Sequence, residues 1–489
     1  MTIERSLFLR SISNSDRETY LVRPEPTRYE SPIREFLLPP EVEATLDKHQ
    51  RRELLFLTRV VRRWGDLYAL QESEDARFPF YPSGVTKKEI LEASQTQPEI
   101  LSPYTIIRLT GEGEFVAIPM HQFYKGIIEE KGVIRLIREA AGETGKGKNR
   151  DFKLQAYLRA LARSMETGDF KASTRIWLER EDEPIVDAVI GFNDIYGDEF
   201  LGRKFSPWAS AGVLDRQLTH DAQWFLNSFL GWWSQETGRA APKVKMRVEH
   251  TRIQSGLAAR YEWSGNSLPC QPEWRREIGS KFIIFEPSFK DKFREKLDSF
   301  RNFINPSKVL GITDGFIRLV ALRKHTAHET GHSLIPGENY QSRLQHHTAW
   351  IKELYCDLLA LTGYRQVRGI SPRESEVAMA ITLVDGYLDY EDRRKRPEYH
   401  KASTVLLNYC LEGGTIRVEN GFFAWTDSQA VFRDIDSLLQ IVEQFLRDGK
   451  IKGVQDLYNK YFEPTVYQHL ITRGSFPKIE DTFLGPIPE

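Results

Sequence analysis

Residues 315–332 read GFIRLVALRKHTAHETGH, and residues 350–364 read WIKELYCDLLALTGY. In both stretches apolar residues recur at three- and four-residue intervals, the spacing of a helix with a buried face. On the first helix His328 and His332 stand at i and i+4, so both imidazoles leave the same side. Glu329 follows the first of them. His-Glu-x-x-His on a helix sets two metal ligands side by side and a carboxylate next to the ion's open position. Gly331 is a weak helix former, but its lack of a side chain admits close packing. On the second helix Glu353 and Asp357 also share a face at i and i+4. Glu353 completes a set of two histidines and one acid, which suits zinc and leaves a fourth position for water. Asp357, one turn further on, can accept the Nδ1 proton of a ligating histidine and fix its tautomer. These residues predict one zinc ion per chain, held by His328, His332 and Glu353. Glu329 is the base that takes a proton from the metal's water.

The pattern around this pair of helices is predominantly helical from about residue 288 to the C-terminus. One break, GTIRVENGFFAW at 414–425, predicts a hairpin turning at Asn420-Gly421. The N-terminal part is mixed. TIIRLTGEGEFVAIPM at 105–120 predicts two strands joined at Gly111–Gly113, and IVDAVIGFNDIY at 185–196 predicts a further strand. A helical insertion is expected near 206–236, where Trp224, Phe225, Phe229, Trp232 and Trp233 read as core packing. The expected class is α+β, with a mixed lobe over 1–290 and a mostly helical catalytic lobe over 291–489.

Composition narrows the function. The 489 residues include 68 basic and 69 acidic side chains, a balance that gives no reason to expect nucleic acid or an anionic membrane as partner. No apolar run approaches the ~20 residues of a membrane span. The opening residues lack a signal-peptide pattern, and three cysteines form no disulfide framework. A cytoplasmic protein is expected. The basic face of the first long helix (Arg51, Arg52, Arg59, Arg62, Arg63) reads as a solvated surface, and His346-His347 as a polar pair outside the ligand set. Cys356 reads as core.

Three further stretches carry a family likeness: IGFNDIYGDEFLGRKF at 190–205, GNSLPCQPEWRREIGSKFIIFE at 265–286, and YHKASTVLLNYCLEGG at 399–414 followed by FLRDGKIKGVQDLYNKYF. In this order, with the two metal motifs, they resemble the dipeptidyl peptidase III family of zinc exopeptidases over about 185–465. The resemblance implies two lobes with a cleft, one mostly helical and zinc-bearing, the other built on a β-barrel-like core. It implies release of dipeptides from the N-terminus of short peptides. It also implies that Asp194 holds the substrate amine and that Tyr196 donates a hydrogen bond to the oxyanion. His400 falls within one position of the family's cleft histidine, with Tyr399 competing for the role.

The sequence departs from the family in three places. The histidines are four residues apart where most relatives have five. Asp357 stands where Glu is usual. IGSKFIIFE at 278–286 lacks the asparagines that help clamp a peptide amine. Two alternatives therefore stand beside the peptidase reading. One is a zinc hydrolase of the same fold acting on a small amide, an ester or a biosynthetic intermediate. The other is a non-catalytic, zinc-stabilised peptide-binding protein. Sequence leaves the natural substrate and the oligomeric state open.

Overall fold

The computed structural model describes residues 31–75, 81–82, 84–146, 150–180, 185–195, 205–337, 344, 347–391 and 397–462. The chain divides into two compact units, Met1–Thr219 with Lys243–Phe289, and His220–Pro242 with Lys290–Glu489. Among the described residues, no helix is long and apolar enough to cross a membrane.

The first unit is built on a six-stranded sheet. Its strands are β1 (Ile33–Glu35), β4 (Val186–Ile195), β5 (Phe205–Leu214), β6 (Val244–Gly256), β7 (Gly265–Leu268) and β8 (Ser280–Phe285), with β2 (Thr105–Leu109) and β3 (Phe115–Pro119) forming the separate hairpin. The order is β4-β5-β6-β8-β7, antiparallel except for the β6–β8 pair, and β1 pairs with the far end of β6. The sheet is open rather than a closed barrel. Helix α1 (Lys48–Asp75) packs on β4, β5 and β6. There the Trp64 indole donates to the Gly191 carbonyl at 2.9 Å and Ser255 Oγ donates to the Val61 carbonyl at 2.6 Å. Helices α2 (Val133–Thr144), α3 (Phe152–Thr167) and α4 (Lys171–Glu179) also belong to the unit, along with several shorter helices.

The expected insertion near 206–236 divides in two. Phe205–Leu214 is a strand, buried at every position. Its small residues (Ser206, Ala209, Ser210, Ala211, Gly212) suit a strand covered on both faces, which shows no alternation for sequence reading to detect. Only α5 (Arg216–Thr237) is helical, and from His220 onward it belongs to the second unit.

That unit holds α6 (Glu286–Phe303) from Lys290, then α7 (Asp314–Gly331), α8 (Thr348–Gln366), α9 (Pro372–Glu391), α10 (Pro397–Glu412), the hairpin β9 (Arg417–Glu419) and β10 (Phe422–Ala424), α11 (Ser428–Asp448) and α12 (Ile451–Tyr461). The hairpin turns at Asn420 and Gly421, whose φ angles of 51° and 80° are those a tight two-residue turn requires. Helix α8 is central, packed by α7, α9, α10 and α11. It is buried over most of its length, with apolar residues on several faces, as such a position demands. Of the α5 aromatics, Phe225, Phe229 and Trp233 are core: the Phe225 ring lies 5.0 Å from that of Tyr364, and Gly363 leaves room for Phe229 and the half-buried Trp232. Trp224, expected in the core, is instead exposed, with the Arg323 guanidinium over its ring.

Candidate metal centre

A helix buried on all sides has no reason to carry unpartnered acids. Glu353 and Asp357 on α8 both face the end of α7. Asp357 Oδ1 lies 2.9 Å from Nδ1 of His328. Glu353 Oε2 lies 3.2 Å from Nε2 of the same ring and 3.6 Å from Nε2 of His332. His332 follows the last helical residue of α7 but keeps helical dihedrals, so the i, i+4 geometry holds. The two imidazoles stand 5.2 Å apart and nearly perpendicular. Glu329 offers a carboxylate oxygen within 4.8 Å of ligand atoms on both histidines.

Glu353 Oε2 is buried and makes no hydrogen bond of good geometry, although Nε2 of His328 and of His332 face it at 3.2 and 3.6 Å. A buried carboxylate oxygen left so is costly. One divalent cation among these three atoms would satisfy all of them, and the donor set of two imidazoles and a carboxylate suits zinc. The residues present thus fit the ion that the sequence implies.

The charge arrangement is consistent with that fit. Against the cost of burial, His332 and then His328 hold the Glu353 carboxyl below its ordinary range. Against burial again, Asp357 and then Glu353 push His328 up to about 10, so the ion-free ring keeps a proton that an ion would displace. Asp357 is held low by Lys324 and His328, despite burial.

Helix α7 is fixed at several points. The Arg323 guanidinium makes a two-point contact with Asp221 at 2.7 and 3.1 Å and reaches Glu374 at 2.6 Å, which also accepts from the Tyr364 hydroxyl at 2.8 Å. At the motif itself α7 and α8 touch closely: a β-carbon on Gly331 would lie 3.2 Å from both Cα and Sγ of Cys356. Cys356 is buried, as expected, but its Sγ also lies 3.3 Å from Nδ1 of His332.

The structure thus brings His328, Glu329, His332, Glu353 and Asp357 together. Asp194 lies in β4, its backbone paired with Ser206, and its side chain is outside the described residues. Tyr196 also lies outside the described residues. His400 stands on the first turn of α10, half-buried, with its ring 5.3 Å from that of Phe462. His347 is buried and engaged elsewhere: Nδ1 accepts from the Trp350 indole at 3.0 Å, and Nε2 meets Gln455 Oε1 at 2.8 Å. His346 lies outside the described residues. Sequence reading missed Lys324, one turn before His328 on the same helix, with its ammonium 3.4 Å from Asp357. A lysine four residues ahead of a ligand, on a helix with few solvent-facing positions, was the available signal.

No family model matches the sequence, and no curated protein matches it. Solved structures do match. The dipeptidyl peptidase III of Caldithrix abyssi superposes with a TM-score of 0.71 at 16% identity, over 88% of this chain and 94% of that one. The dipeptidyl-peptidase III of Corallococcus sp. strain EGB gives 0.72 at 18% identity, over 90% and 93%. The likeness runs through both units, and the chain is dipeptidyl-peptidase-III-like in its fold.

Proposed function

We propose that this chain is a zinc-dependent hydrolase that cleaves short peptides, most simply as a dipeptidyl peptidase. The observation that carries the reading is the buried Oε2 of Glu353, without a hydrogen bond of good geometry and facing Nε2 of two histidines. His328, His332 and Glu353 hold the ion. When bound, zinc supplies Lewis acidity, which acidifies a water and polarises a carbonyl. Glu329 takes the proton from the attacking water and passes it to the leaving amine. Asp357 keeps His328 oriented by accepting from Nδ1. Asp194 holds the substrate amine, and Tyr196 and His400 donate toward the oxyanion. The structural neighbours, both dipeptidyl peptidase III, support a peptide substrate. The cysteines, free of disulfides, suit the cytoplasm.

One observation favours the second substrate class. The strand that replaces the family's asparagine-bearing segment, Ser280–Phe285, is buried at all six positions. The Lys281 ammonium there is committed to the carbonyls of Trp177 and Arg180, at 2.6 and 3.2 Å. These side chains offer no clamp to a substrate amine, which suits a small amide or ester.

The test is metal analysis of the purified chain, followed by hydrolysis of dipeptidyl-naphthylamides by wild type and Glu329→Gln. Stoichiometric zinc in both proteins is expected, with turnover in wild type and a loss of about 10²–10⁴-fold in the variant. Absence of metal, or full activity of Glu329→Gln, overturns the reading. Zinc with no turnover of any dipeptide substrate moves the assignment to the small-amide class.

A further inference from the structure

A line of alternating charge runs away from His328. Asp357 Oδ1, which meets His328 Nδ1 at 2.9 Å, also lies 3.4 Å from the ammonium of Lys324. That ammonium lies 3.3 Å from Asp385 Oδ2, and Asp385 Oδ1 lies 2.7 Å from the Lys296 ammonium. The line joins four helices: α7 through Lys324 and His328, α8 through Asp357, α9 through Asp385, and α6 through Lys296. Only its last member faces solvent, Lys296 being 47% exposed and Lys324 9%.

Burying an ammonium costs several kcal/mol unless it is well paired. Lys324 is therefore held in place by its two acids, and it holds them in turn. Removing it would leave Asp357 and Asp385 as like charges in a low-dielectric interior, and one carboxylate would turn away. Asp357 has little freedom to turn without releasing Nδ1 of His328. Neither metal binding nor the hydrolytic steps above use Lys324 directly.

We propose that Lys324 is a positioning residue: anchored by Asp385, it holds the Asp357 carboxylate against Nδ1 of His328 and so aims Nε2 of that ring toward Glu353. The inference rests on the metal-binding reading of His328, His332 and Glu353. Lys324 acts through Asp357 alone, so its loss and the loss of Asp357 are not independent.

The test uses the full chain and zinc alone as the probe, with Kd measured by chelator competition and folding checked by thermal melting of the zinc-free protein. Lys324→Met and Asp357→Asn are each expected to weaken zinc binding by about 10–100-fold. The double variant should bind no more weakly than Asp357→Asn alone. Should Lys324→Met fail to fold, Asp385→Asn, which keeps the lysine and the side-chain shape, carries the same test. It should weaken zinc severalfold in the wild-type background and not at all in the Asp357→Asn background. Wild-type affinity in a folded Lys324→Met, or losses that multiply in the double variant, overturns the proposal, as does a lowered melting temperature with zinc affinity unchanged. If the wild-type chain itself binds no zinc, it is the reading of the centre that fails.

Discussion

Asp357 Oδ1 and Glu353 Oε2, one helical turn apart on α8, bracket a single ring: the first lies 2.9 Å from Nδ1 of His328, the second 3.2 Å from Nε2. An imidazole between two carboxylates must carry a proton or an ion on the second side. The Nδ1 contact is an ordinary hydrogen bond, whereas Oε2 of Glu353 makes none of good geometry. Under the proposed function, the asymmetry separates a residue that orients the ring from one placed to take a cation.

This separation predicts the behaviour of Glu353→Gln. The amide has nearly the same shape, and its oxygen can still face the protonated Nε2 of His328, but it brings no charge to a cation. Melting of the zinc-free protein should shift by no more than about 1 kcal/mol, while zinc binding is lost or reduced by at least about 100-fold. A markedly lowered melting temperature with zinc affinity unchanged would show that Glu353 serves the fold and not the ion.

Gly331 makes the spacing between α7 and α8 testable. A methyl group there meets Cα and Sγ of Cys356 at 3.2 Å, so one helix must give way. Gly331→Ala is expected to destabilise the chain by about 1–3 kcal/mol, the usual cost of overpacking. It should also weaken zinc binding, because the displaced helix carries His332. Adding Cys356→Ala removes Sγ, one of the three obstructing atoms, and should restore part of both losses. Unchanged melting and zinc affinity in Gly331→Ala would show that the helices have slack at this point.

The two helices of the candidate metal centre were legible because their signals are local. Histidines at i and i+4 need only a helix to converge, and two acids on a segment otherwise apolar all round stand out. The hairpin at Asn420-Gly421 was legible for the same reason, as its turn chemistry lies in two adjacent residues. Features set by distant partners were not. Phe205–Leu214 has no periodicity because both its faces are covered, so it merged with the helix that follows. The role of Lys324 depends on Asp385, 61 residues away, so its place four residues ahead of His328 hints at a buried ammonium without naming its partners. The packing of His220–Pro242 with the C-terminal helices likewise depends on where the α5 aromatics find Tyr364 and Gly363.

The first unit should lose stability as pH rises. His250 on β6 lies 3.0 Å from Asp215 and 3.6 Å from Glu286, and against the cost of burial these acids push it up to about 9. Its stabilising charge is fully present below its ordinary value of 6.5 and is lost as pH passes through about 9. Glu249, fully buried, is pushed up to about 8 by burial and then by Asp187. Its folded state keeps a proton that the unfolded chain releases from about 4.5, so its penalty grows between those values. Both effects make the native state bind more protons, so stability falls from pH 5 to 9. For one group the slope is at most about 1.4 kcal/mol per pH unit. In denaturant melts of the zinc-free protein, Glu249→Gln should match wild type near pH 5 and exceed it near pH 9. His250→Gln should flatten the curve above pH 6.5. Parallel curves for all three proteins would contradict the assignment.

For the substrate amine, the sequence likeness and the structure point in opposite directions. The sequence likeness at 190–205 assigns Asp194 to the amine, whereas the buried strand Ser280–Phe285 offers no partner for it. Paired substrates, identical except for an acetyl group on the amine, separate the two. If Asp194 holds a charged amine, acetylation should lower kcat/KM by about 10–100-fold, since a charge-assisted hydrogen bond contributes roughly 1.5–3 kcal/mol. Asp194→Asn should then raise KM for the free amine and leave the acetylated substrate unchanged, with zinc content intact. If the site takes small amides or esters instead, acetylation should make little difference and Asp194→Asn should affect both substrates alike. The ratio of the two kcat/KM values is the quantity to follow, because damage to folding or zinc content lowers both and cancels in it.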